Sequence, residues 1–147
     1  MSAGSPAGTR GRVLVLCTHN SARSQMAEGF LRALAGDRIE VQSAGTEAGR
    51  VHPLAIRVMD EAGIDLRGHV SKTLEPFLRE PWDYVITACD QASERCPVFG
   101  GRAARIHWSF EDPSAAVGTE EERVAVFRRV RDAIAARLSA WLADRDR

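Results

Sequence analysis

The chain has 147 residues, 44% of them hydrophobic and 27% charged, and its formal net charge is zero. That length fits one domain with a sizeable core, and the composition is that of a folded protein rather than a disordered one. The balanced charge excludes whole-molecule attraction to nucleic acid or an anionic membrane, so any affinity for anions must be local.

No apolar stretch approaches the ~20 residues of a membrane span. The first ten residues are rich in Ser, Gly, Ala and Pro and lack the apolar core of a secretory signal. The expectation is a flexible tail over 1–11, one domain over 12–147, and a cytoplasmic location. Lys72 is the sole lysine, and this arginine bias reads as genome composition. The three cysteines are Cys17, Cys89 and Cys96. An odd number in a reducing compartment is not a static disulfide framework, which leaves buried thiols, metal ligands or redox chemistry.

Val13 to Leu16 is a continuous apolar run, as expected of a buried parallel strand. A helix is expected over 23–35, stopped at Gly36-Asp37. Residues 39–43 alternate as a strand. Residues 53–62 read as a helix, with Pro53 in its first turn and Gly63 after its end. Residues 64–66 are a candidate extended piece, and 73–79 a candidate short helix. Residues 83–88 read as a third buried strand and 105–107 as a fourth. The longest helix is expected over 119–143. Thr119 and Glu122 make a capping-box pattern, and Val124, Phe127, Val130, Ile134, Leu138 and Trp141 form an apolar stripe assigned to core packing. Strands alternating with helices imply an α/β sandwich on a parallel sheet, with ligands beyond the carboxyl ends of the strands. Cys17 and Cys89 each follow an expected strand, so both belong to that edge. The loop after the fourth strand can bring Asp112 there too.

The segment Cys17-Thr18-His19-Asn20-Ser21-Ala22-Arg23-Ser24 joins strand to helix. Backbone N–H groups in such a loop, with the helix dipole behind them, make a cradle for an anion. Arg23 can grip an oxyanion with two parallel N–H bonds. The same field stabilises a thiolate on Cys17, below the free value of about 8.5. The Ser24 hydroxyl can donate to that thiolate, and Asn20 can brace the loop. His19 is expected at the rim, His107 in the core, and His52 and His69 at the surface or in local hydrogen bonds. A metal site built on the cysteines with His19 or His107 is disfavoured, because the spacings do not match the short Cys pairs of structural zinc.

Residues 13–30 resemble the phosphate loop of low-molecular-weight tyrosine phosphatases and of their relatives, the thioredoxin-coupled arsenate reductases. Further matches follow in order at Ser43-Ala44-Gly45-Thr46, Gly63-Ile64-Asp65, Cys89 with Cys96-Pro97, and Glu111-Asp112-Pro113. The resemblance spans nearly the whole chain after the tail. It implies a single-domain three-layer α/β sandwich with a four-stranded parallel sheet. The arsenate reductases carry a cysteine pair at this place and spacing and the phosphatases lack it, and Ser114 and Ala115 stand where the phosphatases tend to have tyrosines.

The reading implied is reduction of arsenate to arsenite by a three-cysteine relay. Cys17 attacks arsenate held by residues 18–24, and Asp112 protonates the leaving oxygen. Cys89 then takes Cys17 into a disulfide as arsenite leaves, and Cys96 resolves it to Cys89–Cys96. An external thiol reductant of the thioredoxin type restores the thiols. Phosphate and sulfate are expected to mimic arsenate, and no tightly bound cofactor is expected. Some relatives hold a structural potassium ion near the loop; the matching oxygens are those of Asn20, Glu28 and Ser43, but Lys72 stands at the remaining ligand position, so no potassium dependence is expected. The alternative is a tyrosine or aryl phosphatase using Cys17, Arg23 and Asp112. A third class is a thiol sensor, or an arsenite- or zinc-binding protein, using the same cysteines.

Overall fold

The computed structural model describes residues 11–88 and 103–145; Cys89, Cys96 and the residues between them lie outside the described residues. Strand β1 spans Arg12–Cys17, β2 Glu40–Gly45, β3 Tyr84–Thr87 and β4 Ala104–His107. They form one four-stranded sheet in the order β2-β1-β3-β4, parallel throughout. Helices α1 (Arg23–Ala35), α2 (Pro53–Glu61) and α3 (Glu120–Arg145) complete the described scaffold. Gly11, assigned by sequence to the tail, is buried and its carbonyl accepts from the Glu40 N–H at 2.9 Å, so it belongs to the fold.

Strand β1 is central and buried on both faces, which is why it reads as an unbroken apolar run. Side-chain alternation splits it. Val13 and Val15 join the core beneath the helices, with Ile86, Phe127 and Ile134. Leu14 and Leu16 join a second cluster with Trp82 and Val85, covered by Leu74, Phe77 and Leu78. Helix α3 buries Val124, Phe127, Val130, Ile134 and Leu138; the stripe then ends on Leu142, while Trp141 is half-buried against the edge of Tyr84. Its start is a capping box: Thr119 N–H donates to Glu122 Oε1 at 2.9 Å, and Glu122 N–H donates to Thr119 Oγ1 at 3.1 Å.

One local expectation is corrected. Residues 73–79 are not an α-helix: only Glu75–Phe77 winds, as a single 3₁₀ turn, because Thr73 is drawn into a parallel bridge with Gly45 and Pro76 has no N–H to donate. Residues 64–66 follow the Gly63 stop without joining the sheet. No described helix is long and apolar enough to cross a membrane.

The register sets the functional edge. Cys17 lies opposite Gly45, Leu16 opposite Ala44 and Thr87, and Thr87 opposite His107. The Ala88 N–H continues this edge onto the Leu16 carbonyl at 2.8 Å. His107, expected in the core, is exposed on edge strand β4 and meets Thr87 Oγ1 through Nδ1 at 2.8 Å.

Candidate active site

Cys17 is the last residue of β1 and only 4% exposed. The chain then wraps through residues 18–22 into α1. Its carbonyls are taken by the framework outside the loop. Thr46 N–H donates to Cys17 O at 3.3 Å, Glu47 N–H to Thr18 O at 2.9 Å, and His52 N–H to Ser21 O at 3.0 Å. Ser71 Oγ donates to His19 O at 2.9 Å, and Gln25 Nε2 to Asn20 O at 3.2 Å. Across a trans peptide the following N–H points the opposite way, so the amides of residues 18–22 face the inside of the loop. Helix α1 begins there with no side-chain cap at Ala22 and no acidic residue in its first turn, which leaves its positive end open to an anion.

Asn20 holds the bend. Its φ is +50°, the left-handed region that asparagine tolerates better than most residues. The side chain is fully buried and bonded on both ends. Nδ2 donates to Ser24 Oγ (2.8 Å) and Ser43 Oγ (2.9 Å), while Oδ1 accepts from the Lys72 N–H (2.8 Å) and Gln25 Nε2 (2.9 Å). Ser24 Oγ, accepting from Asn20, keeps its own proton to donate.

Arg23 and Asp112 close the opposite wall. Arg23 Nη1 donates to Phe110 O at 3.1 Å, and Nη2 lies 3.6 Å from Asp112 Oδ2. Its Nε is buried and has no hydrogen-bond partner. A buried guanidinium N–H without an acceptor is costly and marks a place for an incoming one. Asp112 is aimed by its neighbours: Oδ1 accepts from Ser114 N–H (3.0 Å) and Ser114 Oγ (2.6 Å), leaving Oδ2 toward the pocket. The resulting small pocket is lined by Cys17, His19, Ser21, Ala22, Arg23, Asp112 and Ser114. His19 stands at its rim, 60% exposed, with Nε2 3.9 Å from Glu47 Oε1.

A cysteine at the floor of an amide cradle, an arginine across it and an aspartate at the mouth agree with what the chain is similar to. Residues 12–147 match the family described as low molecular weight phosphotyrosine protein phosphatase. The chain belongs to that family. Among its curated relatives is an arsenate reductase of Halalkalibacterium halodurans, 46% identical over 129 residues, covering 88% of this chain and 93% of the relative. Among solved structures, an arsenate reductase in the phosphate-binding state superposes with a TM-score of 0.74 at 36% identity, covering 91% of this chain and 98% of that one. A thioredoxin-dependent arsenate reductase of Corynebacterium glutamicum gives a TM-score of 0.68 at 27% identity, covering 95% of this chain and 65% of that one.

Sequence reasoning places Cys17, Arg23 and Asp112 together, and the fold brings them there; Cys89 and Cys96 lie outside the described residues. It misses three supports of this phosphatase-family loop. Gly45 is the first. A Cβ there would come within 2.6 Å of Thr18 O and 2.7 Å of Asn20 N, so only glycine lets β2 pass under the loop. Ser114 is the second, and its signal was present: a hydroxyl two residues after an aspartate, across a proline, is a local turn partner. The third is the pair Gln25–His69. Gln25 Nε2 is committed to Asn20 and to Val70 O (3.1 Å), so Oε1 faces His69 Nδ1 at 2.9 Å and that nitrogen carries the proton.

The oxygens matched to potassium ligands are bonded among themselves. Ser43 Oγ donates to Glu28 Oε1 at 2.6 Å, Glu28 Oε2 accepts from Arg32 Nε at 2.9 Å, and Asn20 turns its amide nitrogen toward Ser43. The Lys72 ammonium lies 4.0 Å from Glu28 Oε1 and 3.4 Å from Val70 O, putting a positive charge beside the buried carboxylate. This donor set does not fit a resident potassium ion. Among the described residues, no three His, Cys, Asp or Glu side chains gather as metal ligands.

Proposed function

We propose that this chain reduces arsenate to arsenite through a thiol relay, in the cytoplasm and at the expense of an external thioredoxin-type reductant. The observation that carries the oxyanion chemistry is the buried, partnerless Arg23 Nε across the pocket from Cys17. The relatives named arsenate reductase, one of them thioredoxin-dependent, support arsenate as the oxyanion and thioredoxin as the class of reductant.

Arsenate sits in the amide cradle, its oxygens facing the N–H groups of residues 18–22 and the Arg23 fork. Thr18 to Ser24 bind and orient it. The positive end of α1 and Arg23 favour the Cys17 thiolate, and the free Ser24 proton adds a donor to it. Cys17 sulfur forms a bond to arsenic while an oxygen leaves as water, taking its proton from Asp112 Oδ2. Cys89 thiolate then attacks Cys17 sulfur. The S–As bond breaks, its electron pair stays on arsenic, and arsenite departs as As(III). Cys96 attacks Cys89, freeing Cys17 and leaving a Cys89–Cys96 disulfide for the external reductant. Two thiols are oxidised for the two electrons arsenic gains.

The test is coupled turnover with arsenate, thioredoxin, thioredoxin reductase and NADPH. The full chain consumes NADPH with arsenate present. Cys89→Ser arrests after one adduct, and mass spectrometry of the wild-type chain after one turnover finds Cys89–Cys96. Normal turnover by Cys89→Ser would defeat the relay. Aryl phosphate hydrolysis untouched by Cys89 or Cys96 substitution, without arsenate-dependent NADPH loss, would assign the chain as a phosphatase instead.

A further inference from the structure

A second cavity, of about 280 Å³, opens beside the loop pocket and shares Ser21 with it. Arg50, His52, Glu120 and Arg123 are among its lining residues. Its charges are not balanced. The Glu120 carboxylate is held from elsewhere by Arg57 Nη1 at 3.3 Å. Other guanidiniums are likewise paired, Arg128 and Arg131 to Glu61 and Arg129 to Glu111. Arg50 and Arg123 have no carboxylate partner among the described residues. Both act on His52: its pKa is lowered first by burial and then by the positive charges of Arg123 and Arg50, with the Asp112 carboxylate acting the other way. Its Nδ1 accepts from the Leu54 N–H at 3.0 Å, so the neutral ring carries its proton on Nε2 and adds another donor.

Two unpaired guanidiniums and an imidazole N–H in one concavity are a donor set for an anion. We infer that this cavity is a second anion subsite, adjoining the loop pocket at Ser21. Together the two take a small molecule with two anionic groups: a tetrahedral oxyanion in the loop, and a phosphate or carboxylate between Arg50 and Arg123. Arsenate and orthophosphate fill only the first. Molecules with two such groups bind across both and compete with arsenate for Cys17.

Calorimetric titration of the reduced full chain with inorganic phosphate, tripolyphosphate and 3-phosphonopropionate tests this without any turnover, so its failure would leave arsenate reduction untouched. Tripolyphosphate is expected to bind about tenfold more tightly than phosphate, the gain of one further charge-assisted contact set. Excess phosphate should weaken it by competition in the loop. In the double variant Arg50→Ala/Arg123→Ala, tripolyphosphate should fall to within about twofold of phosphate, while phosphate itself stays within about twofold of its wild-type affinity. That unchanged phosphate affinity shows the variant is folded. A gain with 3-phosphonopropionate as well assigns the second group as any anion; a gain with tripolyphosphate alone assigns it as phosphate. Equal affinities for the mono- and polyanions, a gain that survives the double variant, or equal weakening of every ligand would overturn the inference.

Discussion

Arg23 shows how one side chain divides its work. Nη1 is spent on the Phe110 carbonyl, Nη2 faces Asp112, and Nε is buried with no acceptor. The fork is thus anchored at one tip and leaves a donor for the ligand. Lysine at this position keeps the charge and loses the planar pair of N–H bonds. Arg23→Lys is therefore expected to lower kcat/KM for arsenate by about 10²–10³-fold, the scale of one lost oxyanion donor. Steady-state kinetics on the coupled assay measures it, and a loss under threefold would mean that the fork does not grip the oxyanion. Cys17 and Arg23 were legible in the sequence because the short loop between strand and helix constrains them covalently. The Ser114 turn signal was there too, but not its consequence, which depends on which oxygen of Asp112 must stay free.

At the scale of elements, the loop is shaped from beneath by β2. Gly45 lies opposite Cys17 in the register, and the loop backbone passes where its side chain would be. Gly45→Ala puts a methyl against backbone atoms that cannot step aside, at about 2–4 kcal/mol of stability and with the cradle distorted. Gly68→Ala is the control, with nothing within 4 Å of the added carbon. Denaturant titration and single-turnover arsenate reduction should separate them, Gly45→Ala failing in both and Gly68→Ala in neither; a fully active Gly45→Ala would mean that the loop tolerates a shift. Helix limits were readable where local chemistry fixes them: the Thr119–Glu122 box, Pro53 at the start of α2, and Gly36 and Gly63 at positive φ after α1 and α2. Residues 73–79 were misread because their fate is decided by a bridge to Gly45, a residue distant in sequence.

For the whole molecule, stability should fall with acid in two steps. The pKa values of His52 and His69 are both lowered, chiefly by burial. The unfolded imidazoles titrate near 6.5, above the folded ones. Below about 6.5 the unfolded chain therefore binds more protons, and stability, level above that pH, declines as pH falls through the lower folded values. A second loss follows near pH 4.5 and below, where the Glu61 carboxyl, held down to about 2 chiefly by the Arg128 hydrogen bond and also by Arg131, begins to protonate in the unfolded chain. Urea unfolding at pH 7.5, 6 and 5 should show the first decline, and His69→Asn, which keeps a donor for Gln25 Oε1, should flatten it. An unchanged slope in that variant would remove His69 from the account.

The sequence by itself determined the order of strands and helices, the reach of β1, and the pairing of a cysteine with an arginine across a loop. Apolar periodicity, caps and short covalent spacing are local, and local physics is written in local sequence. Only the tertiary structure decided that Gly45 lies under the loop, that the buried Asn20, Ser43 and Glu28 side chains are already bonded to one another, and that Arg50 and Arg123 share a cavity. Those depend on register and on which carboxylates are already taken, and both are settled by contacts between residues far apart in the chain.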